Sequence, residues 1–416
     1  MKQKVAGTLL PPLIAVVVSA CASGHTPVFT PEMTSTSQKH AAALTHATGS
    51  ANVWSWGGGE IGQLGDGSTA DQHLPVKVST SAISGIASIA GGGAHALLIA
   101  TGGTVWSWGW NGYGQLGVGT TTGPATCVLS NAPTPCSTVP VQVALSNITT
   151  VAAGDLHNLA ISADGSVWVW GSNQYGQLGT GSITSTGCDC IDAPVRSLLP
   201  AGILAVAGGG QHSLALVNDG TVMAFGHNQY GQLGDGSTTI RPSPVTVSNV
   251  SGVTAVSAGF FHSLALGSNG KVYAWGRNQH GQLGNGTTTD SSTAVTVLKL
   301  TGVTAISAGG EYSMALKSDG TVWTWGFNGN GELGDGTTAS KTRPVQVHGL
   351  PAIATIMAGK LHALAIDTTG AVWAWGINTN GELGNGTTTR STVPVRANLS
   401  AAVKMLGAGT RYSLAF

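Results

Sequence analysis

Seven copies of Val-Trp-x-Trp-Gly or a close variant are each followed, five residues on, by Gly-Gln/Glu-Leu-Gly, and this double repeat leaves the chain few architectures. The first element closes at Gly57, Gly109, Gly171, Gly226, Gly276, Gly326 and Gly376, so successive spacings are 52, 62, 55, 50, 50 and 50 residues. The second starts at Gly62, Gly114, Gly176, Gly231, Gly281, Gly331 and Gly381 in the same register. A third, Ala/Gly-Gly-x-x-His/Tyr-x-hydrophobic, is centred on His95, His157, His212, His262, Tyr312, His362 and Tyr412. A period near 50 residues means blades or solenoid coils.

Val-Trp-x-Trp-Gly sets two large rings at period two, so both lie on one face of a strand. The fourteen ring positions hold eleven Trp, with Met223, Phe225 and Tyr273 in the others, which asks for bulk rather than indole chemistry and predicts a packed layer between blades. Before most copies stands His-Ser-Leu-Ala-Leu or a variant and then a turn such as Asn218-Asp219-Gly220, the mark of a hairpin. The seventh hairpin is split. Tyr412 to Phe416 supplies a first strand at the C-terminal end, and Val53 to Gly57 supplies a second strand with no regular partner before it. Joining them removes the exposed sheet edges, so the predicted fold is an all-β, seven-bladed propeller over residues 51–416. His40 to Leu44 is a weaker rival for the missing strand, Ala-rich and 17 residues from Gly57.

Before the repeats, Lys2 and Lys4 precede an apolar stretch from Val5 to Val18 that ends Val18-Ser19-Ala20-Cys21. This resembles a bacterial lipoprotein signal, which implies removal of residues 1–20 and acylation of Cys21. Residues 21–50, rich in Thr, Ser, Ala and His, then read as a tether. The residue after Cys21 is Ala22 rather than Asp, so the resemblance implies a place in the cell envelope, on the outer membrane where the host has one. Four further cysteines sit where the period is broken. Cys127 and Cys136 in the longer insertion are expected to form a disulfide, as an exported chain meets an oxidising compartment. Cys188 and Cys190 stand so close that pairing across to the neighbouring loop is expected instead, and the spacing does not fit a zinc site.

Ala-Gly-x-x-His-Ser-Leu-Ala-Leu, Asp-Gly-x-Val-x-x-Trp-Gly and Asn-x-x-Gly-Gln-Leu-Gly-Asp-Gly together resemble the repeats of the regulator of chromosome condensation family, from Val53 to Phe416. The resemblance implies the same seven-bladed propeller. The family's founder is a nucleotide exchange factor for a nuclear GTPase and binds chromatin, but nothing in this sequence carries that role over residue by residue. A secreted bacterial β-lactamase-inhibitory protein of the same repeat class, which grips its target with one rim, is the nearer analogy.

The hairpins place two variable loops per blade, one within Gly-x-x-His/Tyr just before the first hairpin strand and one after Trp-Gly, at one end of the ring. The predicted binding rim is Trp110, Tyr113, Leu156, Tyr175, His227, Tyr230, Phe260, Phe261, Arg277, His280, Phe327 and Arg411, since aromatic residues and Arg dominate binding hot spots. Lys and Arg total 17 against 17 Asp and Glu, and no basic run occurs, so the footprint needed for nucleic acid is missing. No Gly-x-Ser-x-Gly elbow, His-Glu-x-x-His pair or phosphate loop occurs either. Tyr replaces the repeat His in two blades, so those rings are expected to hydrogen-bond within each blade rather than hold metal. The Asp-Gly pairs at Asp66, Asp235 and Asp335 read as turns, because Asn285, Asn385, Val118 and Thr180 take the same place. The expectation is a monomeric, non-enzymatic, cofactor-free, lipid-anchored scaffold that binds an envelope or extracellular protein and meets membrane only through its acyl anchor. Alternatives are a carbohydrate or cell-wall binding module, an exchange factor by family analogy, and a hydrolase with its site in the central channel.

Overall fold

The computed structural model describes residues 52–184 and 188–416, so the signal, the tether, Cys21 and the rival strand at His40 to Leu44 lie outside the described residues. The described residues build seven antiparallel sheets and no helix. Six are blades of four strands and one has five, and the innermost strand of each contacts those of the two neighbouring blades around a closed ring. Blade 4 is representative: Ile203–Gly208, His212–Val217, Val222–Gly226 and Arg241–Thr246 run from inside to outside.

Blade 1 closes the ring as the split hairpin requires. Trp54–Gly57 pairs with Tyr412–Ala415, with Trp54 opposite Ala415 and Gly57 opposite Tyr412. Leu406–Ala408 lies inside this pair and Gln72–Lys77 outside it. Blade 2 carries a fifth strand, Ala125–Leu129, in a hairpin with the long outer strand Ala132–Val143. The Cys127–Cys136 disulfide ties that hairpin, with 5.9 Å between Cα atoms. Cys188 and Cys190 differ from expectation. They pair with each other, 5.1 Å apart at Cα, and the residue between them, Asp189, takes a positive φ of 53°.

The two rings of each Trp-x-Trp have different fates. The second, Trp56, Trp108, Trp170, Phe225, Trp275, Trp325 or Trp375, has no exposed surface, whereas the first remains half-exposed. Burying each inner ring contributes roughly 1.5–3 kcal/mol. Each inner indole also donates to a main-chain carbonyl of the preceding blade, as Trp275 does to Gln232 at 2.9 Å and Trp56 does to Glu382 at 2.8 Å across the closing seam. The carbonyl belongs to the Gln/Glu of Gly-Gln/Glu-Leu-Gly, so the two repeat elements interlock from blade to blade. The Gly that ends that motif must lack a side chain: a Cβ on Gly234, at φ +69°, would stand 2.8 Å from Trp275 Nε1.

The repeat histidines also bridge blades rather than bonding inside one, contrary to the reading from spacing. His157 Nε2 meets Ser213 Oγ of the next blade at 2.8 Å, His212 meets Ser263 at 2.9 Å, and His262 meets Ser313 at 2.9 Å. Each of these Ser hydroxyls donates onward to a Gln carbonyl, so it must accept from histidine, which fixes the proton on Nε2. Tyr312 and Tyr412 do the same job by donating to the His362 and His95 carbonyls of the following blades. Burial holds the imidazoles neutral, with His95 and His362 pushed down to about 4 and His157 and His262 to about 3.

Candidate functional site

On the rim, the loop that enters each second strand is drawn in toward the axis. Its main chain closes a ring of seven hydrogen bonds of 3.1–3.3 Å, in which Gly93, Asp155, Gly210, Phe260, Gly310, Lys360 and Thr410 each donate to the next blade. Side chains at these positions crowd the mouth of the central channel. Phe260 lies over Gly210, and Lys360 lies over Gly310 with its ammonium 5.3 Å from the Phe260 ring. Asp155, beside Leu156 in the same loop, is completely buried, and neither carboxylate oxygen meets a donor among the described residues. Burial raises its pKa well above the usual carboxylate range, opposed by the charge of Lys360; burial lowers that of Lys360 in turn, opposed by Asp155.

The loops after Trp-Gly supply the outer part of the rim, and here blades 3 to 6 run together. Tyr175 meets His227 edge-on at 4.7 Å between centroids, His227 lies 5.8 Å from Phe261, Tyr230 lies 5.0 Å from Phe261, and Phe260 lies 4.2 Å from Phe261. Arg277 spreads its guanidinium over Tyr230 at 5.0 Å and Phe261 at 5.7 Å. It also donates to Glu311 at 2.6 Å, while His280 meets the other Glu311 oxygen at 3.0 Å and the Phe327 ring at 4.9 Å. The result is one continuous arc of rings and charges. Cation–π contacts of this kind contribute roughly 0.5–1 kcal/mol where exposed and more where water is excluded.

Eight of the twelve predicted rim residues, Tyr175, His227, Tyr230, Phe260, Phe261, Arg277, His280 and Phe327, fall in this arc. His227 is buried within it and accepts from Gln232 Nε2 at 2.7 Å, and the other seven are half-buried. The remaining four stand apart. Trp110 and Tyr113 stack edge-on at 5.5 Å on blade 2, where Trp110 donates to Thr134 and packs on the Cys127–Cys136 hairpin. Leu156 is half-buried in blade 3, and Arg411 pairs with Glu60 at 2.9 Å in blade 1. Among the described residues, no group of three His, Cys, Asp or Glu side chains could hold a metal ion.

A feature the sequence reading missed is a cap repeated under every rim loop. The Gln/Glu side chain of Gly-Gln/Glu-Leu-Gly turns back to accept from the main-chain N–H two residues earlier, as in Gln232 to Tyr230 at 3.0 Å and Glu382 to Asn380 at 2.9 Å. The Asn of Trp-Gly-x-Asn braces the same loop, with Asn228 Oδ1 accepting from Leu233 N at 2.9 Å. The recurrence of Gln/Glu and Asn at fixed offsets was the signal available for this device.

Seven closed blades interlocked through an indole-to-carbonyl layer, with a variable rim on one face, define a repeat propeller whose surface chemistry resides in loops. The chain belongs to the RCC1-like domain family, which it matches over residues 52–415. It is 34% identical over 198 residues to the Ultraviolet-B receptor UVR8 of Arabidopsis thaliana, covering 47% of this chain and 41% of that protein. It is 32% identical over 216 residues to the E3 ubiquitin-protein ligase HERC2 of Homo sapiens, covering 51% of this chain and 4% of that protein. The chain thus spans less than half the length of these curated relatives. Human WBSCR16 superposes with a TM-score of 0.76 at 23% identity, covering 88% of this chain and 99% of that one. Yeast RCC1 (Prp20), solved bound to Kap60, gives 0.74 at 22% identity with 88% of each chain covered. These superpositions show the shared fold.

Proposed function

We propose that this propeller is a non-enzymatic scaffold that binds a protein partner through the arc of blades 3 to 6, and that acyl chains on Cys21 hold it at the cell envelope. One observation carries the binding reading: seven aromatic or imidazole rings with Arg277 and Glu311, drawn from four blades, form an unbroken contact chain on one face. Such residues bury large area at low entropic cost and concentrate binding energy. The rings meet at steep angles of 48–75°, so together they do not form the single flat platform on which a sugar would stack. Yeast RCC1 bound to Kap60 supplies a precedent within the fold for a protein partner.

The test compares capture from envelope extract by the full chain and by the variant Tyr230→Ala/Phe261→Ala/Phe327→Ala. A partner retained by wild type and by Trp110→Ala, but weakened more than tenfold by the triple variant while circular dichroism stays native, is the expected outcome. Equal capture by the triple variant would remove the arc as the site. For the anchor, wild type is expected in the membrane fraction and Cys21→Ser outside it or unprocessed, since stable attachment takes two signals.

A further inference from the structure

The two ends of the ring differ in charge. The hairpin turns, and the connections from each outer strand to the next inner strand, lie at the end opposite the rim. That end carries seven of the fourteen Lys and Arg among the described residues but only four of the sixteen Asp and Glu, a side-chain balance of +3, whereas the rest of the described chain balances at −5. Lys77, Arg196 and Arg396 close outer strands, Lys271 and Lys317 flank hairpin turns, and Lys299 and Lys404 sit in the connections. All but Lys317 are exposed. They come from separate repeats, so no basic run marks them in the sequence.

The four carboxylates of this end are turned inward. Asp164, Asp219, Asp319 and Asp367 each accept from a main-chain N–H of their own turn, at 2.8–3.0 Å. Arg196 reaches Asp164 at 3.4 Å and Lys317 reaches Asp319 at 3.1 Å, while Lys77, Lys271, Lys299, Arg396 and Lys404 pair with no carboxylate among the described residues. The half-buried first rings of Trp-x-Trp stand at the same end. Lys77 lies over Trp54 at 5.6 Å, Arg196 over Trp168 at 5.3 Å and Lys317 over Trp323 at 5.8 Å. Indole rings favour the headgroup level of a bilayer, and clustered Lys and Arg favour anionic lipid.

The chain also leads to this face. Val53 stands at the turn end of its strand, where its carbonyl accepts from Val78 N at 2.9 Å, so residues 1–51 join the ring there. A coil of the thirty residues between Cys21 and Asn52 has a reach of about 30 Å, so acyl chains on Cys21 would keep a bilayer close to this end.

We infer that the turn end docks on an anionic phospholipid surface, with its exposed Lys and Arg on headgroup phosphates and its half-buried rings at headgroup level, so that the rim arc faces away from the membrane. The choice of a membrane as occupant rests on the proposed anchor at Cys21; the charge and the rings do not, and protein without acyl chains lets the two fail separately.

Full-length Cys21→Ser is sedimented with vesicles of phosphatidylcholine alone and of phosphatidylcholine with about 30% phosphatidylglycerol. Binding at least tenfold tighter to the anionic vesicles, and weaker as salt rises, is expected, since each Lys or Arg near such a surface strengthens binding roughly fivefold. Adding Lys271→Gln/Lys299→Gln/Arg396→Gln/Lys404→Gln, positions outside the ion pairs and ring contacts, is expected to remove at least tenfold of that preference. Removing four charges elsewhere, by Lys341→Gln/Arg343→Gln/Arg390→Gln/Arg411→Gln, is expected to change it by less than about threefold. The first tryptophan is Trp54, so indole emission reads the propeller and not the segment before it, and lipid brominated near the headgroup is expected to quench it. Equal binding to the two vesicles, equal loss in the two charge variants, or binding without quenching would overturn the inference. Tighter binding of duplex DNA than of anionic vesicles would assign the face to nucleic acid and overturn it too.

Discussion

Trp275 and Arg277 stand two residues apart on one strand end and belong to different regimes. Trp275 is sealed between blades, donates to a carbonyl of the preceding blade and has a counterpart in every repeat. Arg277 is half-buried on the rim, lies over two rings of blades 4 and 5, and has a different residue in each equivalent place. The inter-blade layer is therefore satisfied by repetition, and the rim by local pairing among residues that do not repeat. Changes in the layer should act on the whole ring, whereas changes on the rim should act on what the ring touches.

Acid gives the largest separation. His95, His157, His262 and His362 have folded pKa values depressed below the unfolded value of about 6.5, so they contribute stability that is fully present above that pH and lost as pH falls toward the folded values near 3–4. His212 is lowered in the same direction. Each would cost about 1.4 kcal/mol per pH unit below 6.5, so together they outweigh any single substitution. The melting temperature is expected to be level above pH 7 and to drop steeply by pH 5. A melt unchanged at pH 5 would show that protons reach these rings without opening the layer.

Next in size is Trp325→Ala, which removes a fully buried ring and its bond to the Gln282 carbonyl. It is expected to cost about 3–5 kcal/mol in denaturant unfolding. The same substitution at Trp323, its half-exposed companion, should cost clearly less, and equal losses would erase the distinction between the two rings. Replacing Cys127 and Cys136 by Ser should cost about 2–3 kcal/mol, the loop-closure value for a short loop, with the hairpin becoming protease-sensitive before the ring does. Smallest is Tyr230→Ala/Phe261→Ala, expected to cost about 1–2 kcal/mol because its rings are already half-solvated. A loss near that of Trp325→Ala would place the arc within the scaffold.

The fold was legible because closure is a matter of counting: seven copies in register, with half a hairpin at each end of the repeat region, fit a ring and little else. Tyr175, Tyr230, Phe261 and Phe327 were legible as rim residues because bulky side chains stood where other repeats tolerate Gly. Spacing could not reveal which neighbour a side chain reaches. His157 bonds to Ser213 in the next blade, and nothing in the local pattern separates that from a bond within its own blade. Cys188 and Cys190 were misread because the turn at Asp189 that brings them together is invisible in composition. Glu332 and Glu382 are indistinguishable as letters, yet Asn330 donates its amide to Glu332 at 2.7 Å while Asn380 turns to Asp71, 309 residues away in sequence.

A linear stack of blades can fray, shedding terminal units one at a time at the cost of a single interface each. The ring of seven main-chain bonds around the axis has no terminal unit. Removing any blade from contact means parting two junctions at once, so small excursions are suppressed and unfolding is pushed toward a single cooperative event. The junction where Trp54–Gly57 meets Tyr412–Ala415 is the one blade held by strands from both ends of the described chain, and so the natural latch.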